Sequence, residues 1–320
     1  MKLIIQIPCF NESEHLPETV AALPTQVEGF NTVEYLVIDD GSSDDTSSVA
    51  KKCGVHHVVS HRTNKGLARA FETGLDTALK LGADVIVNTD ADNQYCADDI
   101  PTLTKLILEG TAELVIGARP IQSIEHFSPI KKALQALGSA AVRQISNSDV
   151  QDAPSGFRAY SRDAAMRIHV FSDYTYTLET IIQAGQSQMA IASVPIRVNG
   201  PTRPSRLVKS IPSYVKRSLS TMVRIYITYR PLRFFGTIGT ALLIPGVLLS
   251  LRFLFYYFTG SGQGHIQSLI LTAILFITGL LSFSIGILAD LISVNRKLNE
   301  RSSYQTRQKY YNQEDKFSSQ

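Results

Sequence analysis

Asp90, Asp92 and Gln94 stand at alternate positions in the segment "VNTDADNQY" (87–95), at the end of an apolar run. Two carboxylates at i and i+2 can face the same way. Oxygen ligands with open coordination positions suit a hard divalent cation, Mg2+ or Mn2+. Such a cation is completed by phosphate oxygens of a ligand, and it neutralises charge building on a departing diphosphate. A solvated acidic loop has the same composition, and a D-x-D alone is common. What gives this one weight is the company it keeps.

Other acidic-loop readings fail on spacing. An EF-hand counted from Asp90 needs Gly at its sixth position and Glu at its twelfth, where the chain has Tyr95 and Pro101. A dinucleotide fold wants G-x-G-x-x-G after the first strand, and the chain offers "PCFNES" (8–13). No G-x-x-x-x-G-K-[ST] occurs, and no Ser–His–Asp or Cys–His arrangement has supporting context. Three cysteines, Cys9, Cys53 and Cys96, lack any C-x-x-C pairing, which disfavours a disulfide framework or zinc site and fits a reducing compartment. Cys96, beside the acidic motif, reads as a small buried thiol.

The elements that must position the acids are legible as short apolar runs. "LIIQI" (3–7), "EYLVID" (34–39), "VHHVVS" (55–60), "DVIVNT" (84–89) and "ELVIGA" (113–118) are continuous rather than alternating, as in strands buried on both faces. Helical patterns at 13–23, 44–53, 65–81 and 98–109 lie between them. This order predicts an α/β fold with a doubly wound, mostly parallel sheet. A helix near 130–146, a segment at 163–187 and a strand near 191–198 complete the domain. Ligands of such sheets bind beyond the carboxyl ends of the strands. "IPCFNESE", "IDDGSSDDT", "HRTNKG" and "TDADNQ" all fall at that edge.

The second half has another character. From Thr180 to Ala289 there is no Asp or Glu, and 203–233 carries Arg203, Arg206, Lys209, Lys216, Arg217, Arg224, Arg230 and Arg233. Two stretches, about 234–258 and 267–289, are long and apolar enough to cross about 30 Å of hydrocarbon as helices. Basic residues at both outer ends predict a hairpin with both termini cytoplasmic. Arg252 is expected to snorkel to the far interface. The basic, acid-free stretch before it reads as amphipathic interfacial helices on anionic lipid. The organisation predicted is a catalytic domain at 1–200, juxtamembrane helices at 201–233, a transmembrane hairpin at 234–290 and a polar cytoplasmic tail at 291–320, poorly ordered from Asn295 to Gln320. With a formal charge of +3, the chain does not read as a nucleic-acid binder.

The set "IPCFNE", "VIDDGSSDDT", "NKGLARAFETG", "NTDADNQ", "VIGAR" and "DAPSGFRAYSR" resembles family 2 glycosyltransferases of the GT-A fold. The C-terminal spans resemble the polyprenyl-phosphate branch of that family, by architecture only. The resemblance implies donor-nucleotide contacts at Pro8, Phe10, Glu12, Asp39, Asp40, Lys65, Gly66, Asp90 and Ala91. Asp40 would be the acid that meets the base, with Asp39 supporting the turn; the family's aromatic is often Tyr, so Phe10 lacks a hydroxyl. Asp90, Asp92 and Gln94 match the family's metal and diphosphate ligands. Arg119, Arg158, Arg203 and Arg206 are implied for the acceptor phosphate. Asp152 is an acid beside the acceptor, as base or as orienting group, with Ser155 and Arg158 supporting it. The family's Gly-Ser-Lys-like segment reads "GPTRPSRL" here, so Arg203 and Arg206 stand in its place rather than match it. Gly41, Ser42 and Gly66 suit tight turns as well as they suit ligand contact.

The resulting expectation is a membrane-anchored, inverting hexosyltransferase of the cell (inner) membrane. It would use Mg2+ or Mn2+ and move sugar from a nucleotide-sugar donor (a UDP-sugar, or GDP-mannose) to a polyprenyl phosphate such as undecaprenyl or dolichyl phosphate at the cytoplasmic face. A processive polysaccharide synthase shares the domain but usually carries a Q-x-x-R-W segment, and this chain has no Trp. A non-catalytic nucleotide- or lipid-binding scaffold is the rival from another class. The sequence leaves the sugar, the nucleotide and the oligomeric state open, a homo-oligomer included.

Overall fold

The computed structural model describes residues 1–120, 138–140, 142–144, 146, 148–170, 176–199, 220, 223–224, 226–260 and 266–318, with side chains as far as Tyr311. They form two compact units. One is Met1–Ser218 with Glu300–Gln320, and the other is Leu219–Asn299.

The first unit is built on a seven-stranded sheet. Its strands are β1 (Lys2–Cys9), β2 (Thr32–Asp39), β3 (His57–Ser60), β4 (Val85–Asn88), β5 (Leu114–Ala118), β6 (Arg158–Ser161) and β7 (Ile191–Pro195). The order across the sheet is β3-β2-β1-β4-β6-β5-β7. β1 lies inside it, parallel to β2 on one side and β4 on the other. Leu3, Ile4, Ile5 and Ile7 are all fully buried, so both faces of β1 are covered. Each such side chain contributes about 1.5–3 kcal/mol of transfer free energy, which explains the absence of polar alternation. Because β2 and β4 leave β1 in opposite directions, a crevice opens above their carboxyl ends, where the acidic motifs sit.

Helices α1 (Leu16–Ala22), α2 (Thr46–Lys52), α3 (Leu67–Lys80) and α4 (Ile100–Leu108) follow the first four strands. α3 buries Ala68, Phe71, Leu75, Ala78 and Leu79, a stripe at helical spacing. Gly74 lets this helix come close to the sheet: a Cβ there would fall onto Gln6 Oε1 and lie 2.8 Å from Ile38 Cδ1. The expected segment at 163–187 contains α5 (Arg162–Arg167) and α6 (Thr177–Gln186). The expected helix near 130–146 lies largely outside the described residues.

β6 is the element that apolar runs did not reveal. It is four residues long, "RAYS", and pairs antiparallel with both β4 and β5. The sheet is therefore mixed at this side, and the segment before β6, "DAPSGF", is delivered to the end of β4.

The second unit contains α7 (Pro231–Phe258) and the first part of α8 (Ile266–Ser318). Both are long and apolar enough to cross a membrane, with mean hydropathy of 1.9 and 2.3 over their most apolar windows. They meet at glycines. A Cβ on Gly239 would lie 2.7 Å from the Phe283 ring and 3.0 Å from Gly279 O, and one on Gly279 would lie 3.2 Å from Gly239 O. Ser282 Oγ donates to Phe235 O at 2.8 Å, which satisfies a hydroxyl within the pair. Small residues at a crossing allow the backbone approach on which helix pairs in lipid depend.

The poorly ordered tail expected from Asn295 is corrected. α8 continues to Ser318, and its residues from Glu300 belong to the first unit. Tyr304 Oη donates to Asp163 Oδ1 at 2.5 Å. Arg307 pairs with Asp76 at 3.0 Å and donates to the carbonyl of Ile168 at 3.0 Å. Tyr304, Arg307 and the buried Tyr311 fall at i, i+3 and i+7, one face of a helix.

Candidate active site

The loops after β1 and β2 are sewn together. Asn11, in the left-handed region at φ 55°, accepts from Ser43 N at 2.8 Å, and its own N–H donates to Ser42 Oγ at 2.9 Å. Glu12 N donates to Thr46 Oγ1 at 2.9 Å, and Ser13 N to Asp44 Oδ2 at 3.1 Å. Burial works against the Asp44 carboxylate, but hydrogen bonds from Thr46 and Ser13 outweigh it and lower its pKa to about 2. Asp39 Oδ1 accepts from Ser42 N at 2.9 Å, holding the turn as expected of it.

Asp40 has a definite structural task. Its carboxylate is buried and receives Lys65 N at 2.9 Å, Gly66 N at 2.7 Å and the His61 ring nitrogen Nδ1 at 2.7 Å. The other ring nitrogen of His61 lies 3.0 Å from Thr73 Oγ1. Asp40 thus fastens the "HRTNKG" loop to the end of β2. Gly41 is required by shape: its φ is +70°, and a Cβ there would lie 2.6 Å from Asn64 N. Gly66, at φ +92°, is the N-cap that precedes α3. Of the residues implied for the donor, Phe10 and Lys65 are exposed, whereas Pro8, Glu12, Asp39 and Asp40 are buried.

The acidic motif follows β4. Asp90, Asp92 and Gln94 are half-buried and Ala91 is buried. Ala91 O accepts from Thr19 Oγ1 of α1 at 2.7 Å, and Asp92 Oδ1 accepts from Gln94 N at 3.3 Å. The "DAPSGF" loop closes against this motif. A Cβ on Gly156 would stand 3.1 and 3.4 Å from the two Asp90 carboxylate oxygens and 3.0 Å from Tyr176 Oη. A side chain there would press on the Asp90 carboxylate and the Tyr176 hydroxyl.

A buried polar spine supports this contact. Gln6 Nε2 donates to Asn88 Oδ1 at 2.8 Å; Asn88 Nδ2 donates to Gly156 O at 2.8 Å and to Tyr176 Oη at 2.9 Å. Tyr95 stacks on Phe157 at 5.1 Å, and its hydroxyl accepts from Gly156 N at 3.0 Å. Burial, then the nearby Asp90 charge, raise the Tyr95 phenol well above its ordinary range, so it stays a neutral partner. Sequence reading missed Gln6, Asn88, Tyr95, Tyr176 and His61. A signal for two of them was present: Gln6 and Asn88 are polar residues in buried strands, and they are in register.

On the other side of the motif, the half-buried Arg119 and the fully buried Asp152 form one ion pair. Arg119 Nε lies 2.6 Å from Asp152 Oδ2, Nη2 lies 3.0 Å from Oδ1, and the Arg119 backbone N–H also donates to Oδ2 at 3.2 Å. Burial opposes the guanidinium charge, but the hydrogen bond to Asp152 and the Asp152 and Asp90 charges outweigh it and hold the Arg119 pKa up. Arg158 is placed differently from its implied phosphate contact. It is fully buried, and donates to Ser155 O at 2.8 Å, Ala153 O at 2.7 Å and Thr180 Oγ1 at 2.7 Å. It holds the "DAPSGF" loop from behind, which is the supporting role alone. Arg203 and Arg206 lie outside the described residues.

The converging acids are felt at Cys9. Burial first, then Glu12, Asp39, Asp44 and Asp90, push its thiol well above the ordinary value, so it is an inert core residue. Cys96 is half-buried rather than buried, with Sγ 3.8 Å from Asp98 Oδ2. Among the described residues no three or more His, Cys, Asp and Glu side chains cluster as a metal cage. The donor set at Asp90, Asp92 and Gln94 is all hard oxygen with few protein ligands. That fits Mg2+ or Mn2+ whose remaining positions go to a diphosphate.

Residues 4–168 match the family described as "Glycosyl transferase family 2". The chain is 29% identical to the UDP-N-acetylglucosamine–dolichyl-phosphate N-acetylglucosaminyltransferase of Methanococcus voltae, over 60% of this chain and 83% of that protein. It is 31% identical to the undecaprenyl-phosphate mannosyltransferase of Micrococcus luteus, over 61% of this chain and 83% of that one. Its fold is shared with glucosyl-3-phosphoglycerate synthase of Mycobacterium tuberculosis, solved with Mn2+, uridine diphosphate and phosphoglyceric acid. The TM-score is 0.53 at 19% identity, covering 69% of this chain and 78% of the other.

Proposed function

This chain belongs to glycosyl transferase family 2, and from that premise we propose that it transfers a sugar from a nucleotide diphosphate donor to a polyprenyl phosphate at the cytoplasmic face of a membrane. The observation that carries the reading is the meeting of the acidic motif with the "DAPSGF" loop. Asp90 packs against Gly156, and four residues before that glycine Asp152 grips Arg119. Donor-side and acceptor-side groups thereby share one crevice. The relatives named for dolichyl- and undecaprenyl-phosphate acceptors support the lipid phosphate, and two apolar helices supply an anchor. A UDP-sugar is the favoured donor, as named for the Methanococcus voltae relative, with GDP-mannose the alternative.

Asp90, Asp92 and Gln94 would hold Mg2+ or Mn2+, which when bound offsets charge on the leaving diphosphate. The loops fastened by Asp39, Asp40 and Asn11 shape the nucleoside pocket, with Phe10 and Lys65 exposed at its rim. A phosphate monoester has its second pKa at about 6, so at neutral pH the acceptor is already a nucleophile. It needs a fixed cation more than a base. We therefore assign Arg119 to the acceptor phosphate, and Asp152 to orienting Arg119 and holding its charge in place. In the inverting displacement an acceptor oxygen bonds to the anomeric carbon as the bond to the diphosphate breaks, with the diphosphate departing on the opposite face.

The test uses the full-length enzyme in bilayers, with labelled UDP-N-acetylglucosamine, UDP-glucose and GDP-mannose, undecaprenyl phosphate, and Mg2+ or Mn2+. One donor should label the lipid, and EDTA should stop it. Undiminished transfer in EDTA would refute the metal site, and a growing polymer would favour a processive synthase.

A further inference from the structure

We propose that Asn199, with Arg197 beside it, is a positioning residue that sets the acidic loop for its cation; this rests on the metal reading above. The loop at 93–96 is gripped from the chain that leaves β7. Asn199 N donates to Gln94 O at 2.9 Å, and Asn199 Nδ2 donates to Asn93 O at 2.8 Å, with Tyr95 O at 3.4 Å. Tyr95 and Val198 form an antiparallel bridge, and Cys96 N donates to Arg197 O at 3.4 Å. Arg197 then locks the far end of the loop to Asp99 through its backbone N–H at 2.6 Å, Nε at 2.9 Å and Nη2 at 2.7 Å.

The loop needs such a grip. Asn93 sits in the left-handed region at φ 52°, between Asp92 and Gln94, a conformation that side chains other than glycine adopt at a cost. From the opposite side α1 holds the same turn, through Thr19 Oγ1 to Ala91 O at 2.7 Å and Asn93 Nδ2 to Glu18 Oε1 at 3.1 Å. Three successive carbonyls, Asn93, Gln94 and Tyr95, thus receive one residue, Asn199, and the side chains of Asp92 and Gln94 inherit their direction from that fixed backbone. A hard cation with few protein ligands depends on the placement of each, so a group that orients the ligands controls affinity without touching the ion.

Asn199 and Arg197 are exposed, so their replacement spares the core. The experiment measures Mn2+ binding by electron paramagnetic resonance, with UDP present, in the full-length protein and in Asp92→Ala, Asn199→Ala, Asn199→Asp and Asn199→Gln. Unfolding temperature is recorded without metal. Asp92→Ala should lose Mn2+ binding. Asn199→Ala should raise the Kd for Mn2+ about ten- to a hundredfold at unchanged unfolding temperature. Asn199→Asp keeps the shape but sets a carboxylate against carbonyl oxygens, so it should bind Mn2+ no better than Asn199→Ala. Asn199→Gln, which retains the donating amide, should recover part of the affinity. Native Mn2+ affinity in Asn199→Ala, with Asp92→Ala inactive in binding, would overturn the inference and leave the metal reading intact. A lowered unfolding temperature in Asn199→Ala that accounts for the weaker binding would overturn it as well, since the role would then be structural. Native binding by Asp92→Ala would overturn the metal reading and this inference together.

Discussion

The catalytic domain and the helical hairpin treat the same residue types in opposite ways. Among the described residues, Met1 and Phe10 are the large apolar side chains exposed before Val223; from there to Tyr310 they recur throughout, as at Ile244, Leu248, Phe255, Ile277 and Leu288. Buried charge runs the other way. Asp39, Asp40, Asp152 and Arg158 are inside the domain, each bonded to a loop it fastens, while Thr272, Ser282 and Ser293 are the buried polar residues of the hairpin. In water, burying apolar surface drives folding and leaves interior polar groups to specify loop positions. Two helices apolar enough to cross a membrane have little to gain in lipid by turning such side chains inward, and here glycine contacts such as Gly239 on Gly279 set the packing. Polar placement therefore makes the site, and shape packs the helix pair.

The largest break in that contrast is at the acidic motif. Asp92→Ala should lower transfer by on the order of a hundredfold to a thousandfold while the circular dichroism spectrum and unfolding temperature hold. Loss of the fold instead would make Asp92 a loop fastener like Asp40.

Next is the Arg119–Asp152 pair. Removing one partner leaves a buried charge alone, so Asp152→Ala should destabilise the protein by about 3–5 kcal/mol in denaturant titrations. The Arg119→Ala/Asp152→Ala double variant should recover part of that loss. Arg119→Ala should also impair acceptor use more than nucleotide binding; equal losses in both would move Arg119 to the donor side.

A smaller effect tests where the domain ends. The sequence marks 1–200 as the catalytic domain, but Tyr304 and Arg307 dock on α3 and α5 of the first unit. Arg307→Ala should cost about 2 kcal/mol, and a chain cut after residue 233 should be less stable by at least as much. Equal unfolding curves for the cut and native chains would show that this segment adds nothing.

The smallest concerns pH. Burial, then the Arg307 charge, lower the His169 pKa to about 4 from 6.5. The folded state keeps this imidazole neutral, so as pH falls below about 6.5 the unfolded chain takes up the proton first. Its contribution is complete above that value and declines until about pH 4; the full shift corresponds to about 3 kcal/mol, which solvent screening reduces to on the order of 1 kcal/mol. Urea titrations at pH 7 and 4.5 should show the loss, and His169→Gln should flatten it.

Continuous apolar runs placed β1, β2, β4 and β5, and the loops after the first four strands marked the acidic edge, because hydropathy and spacing are properties of neighbouring residues. The same local rule gave the two long helices. It failed for β6, since "RAYS" is too short and mixed to carry a pattern and becomes a strand only between β4 and β5. It also failed for the segment after Asn295, whose contact with Asp163 reaches across 141 residues and whose contact with Asp76 reaches further still. Residue types suggested that Arg119, Asp152 and Arg158 matter, but only tertiary structure separated them. Arg119 meets its carboxylate 33 residues away, and Arg158 is turned into the core by carbonyls of its own loop. The grip of Asn199 on Asn93 spans 106 residues and runs through carbonyl oxygens that every residue possesses. Composition therefore carries no trace of it; the bond exists because the sheet brings the end of β7 beside the loop after β4.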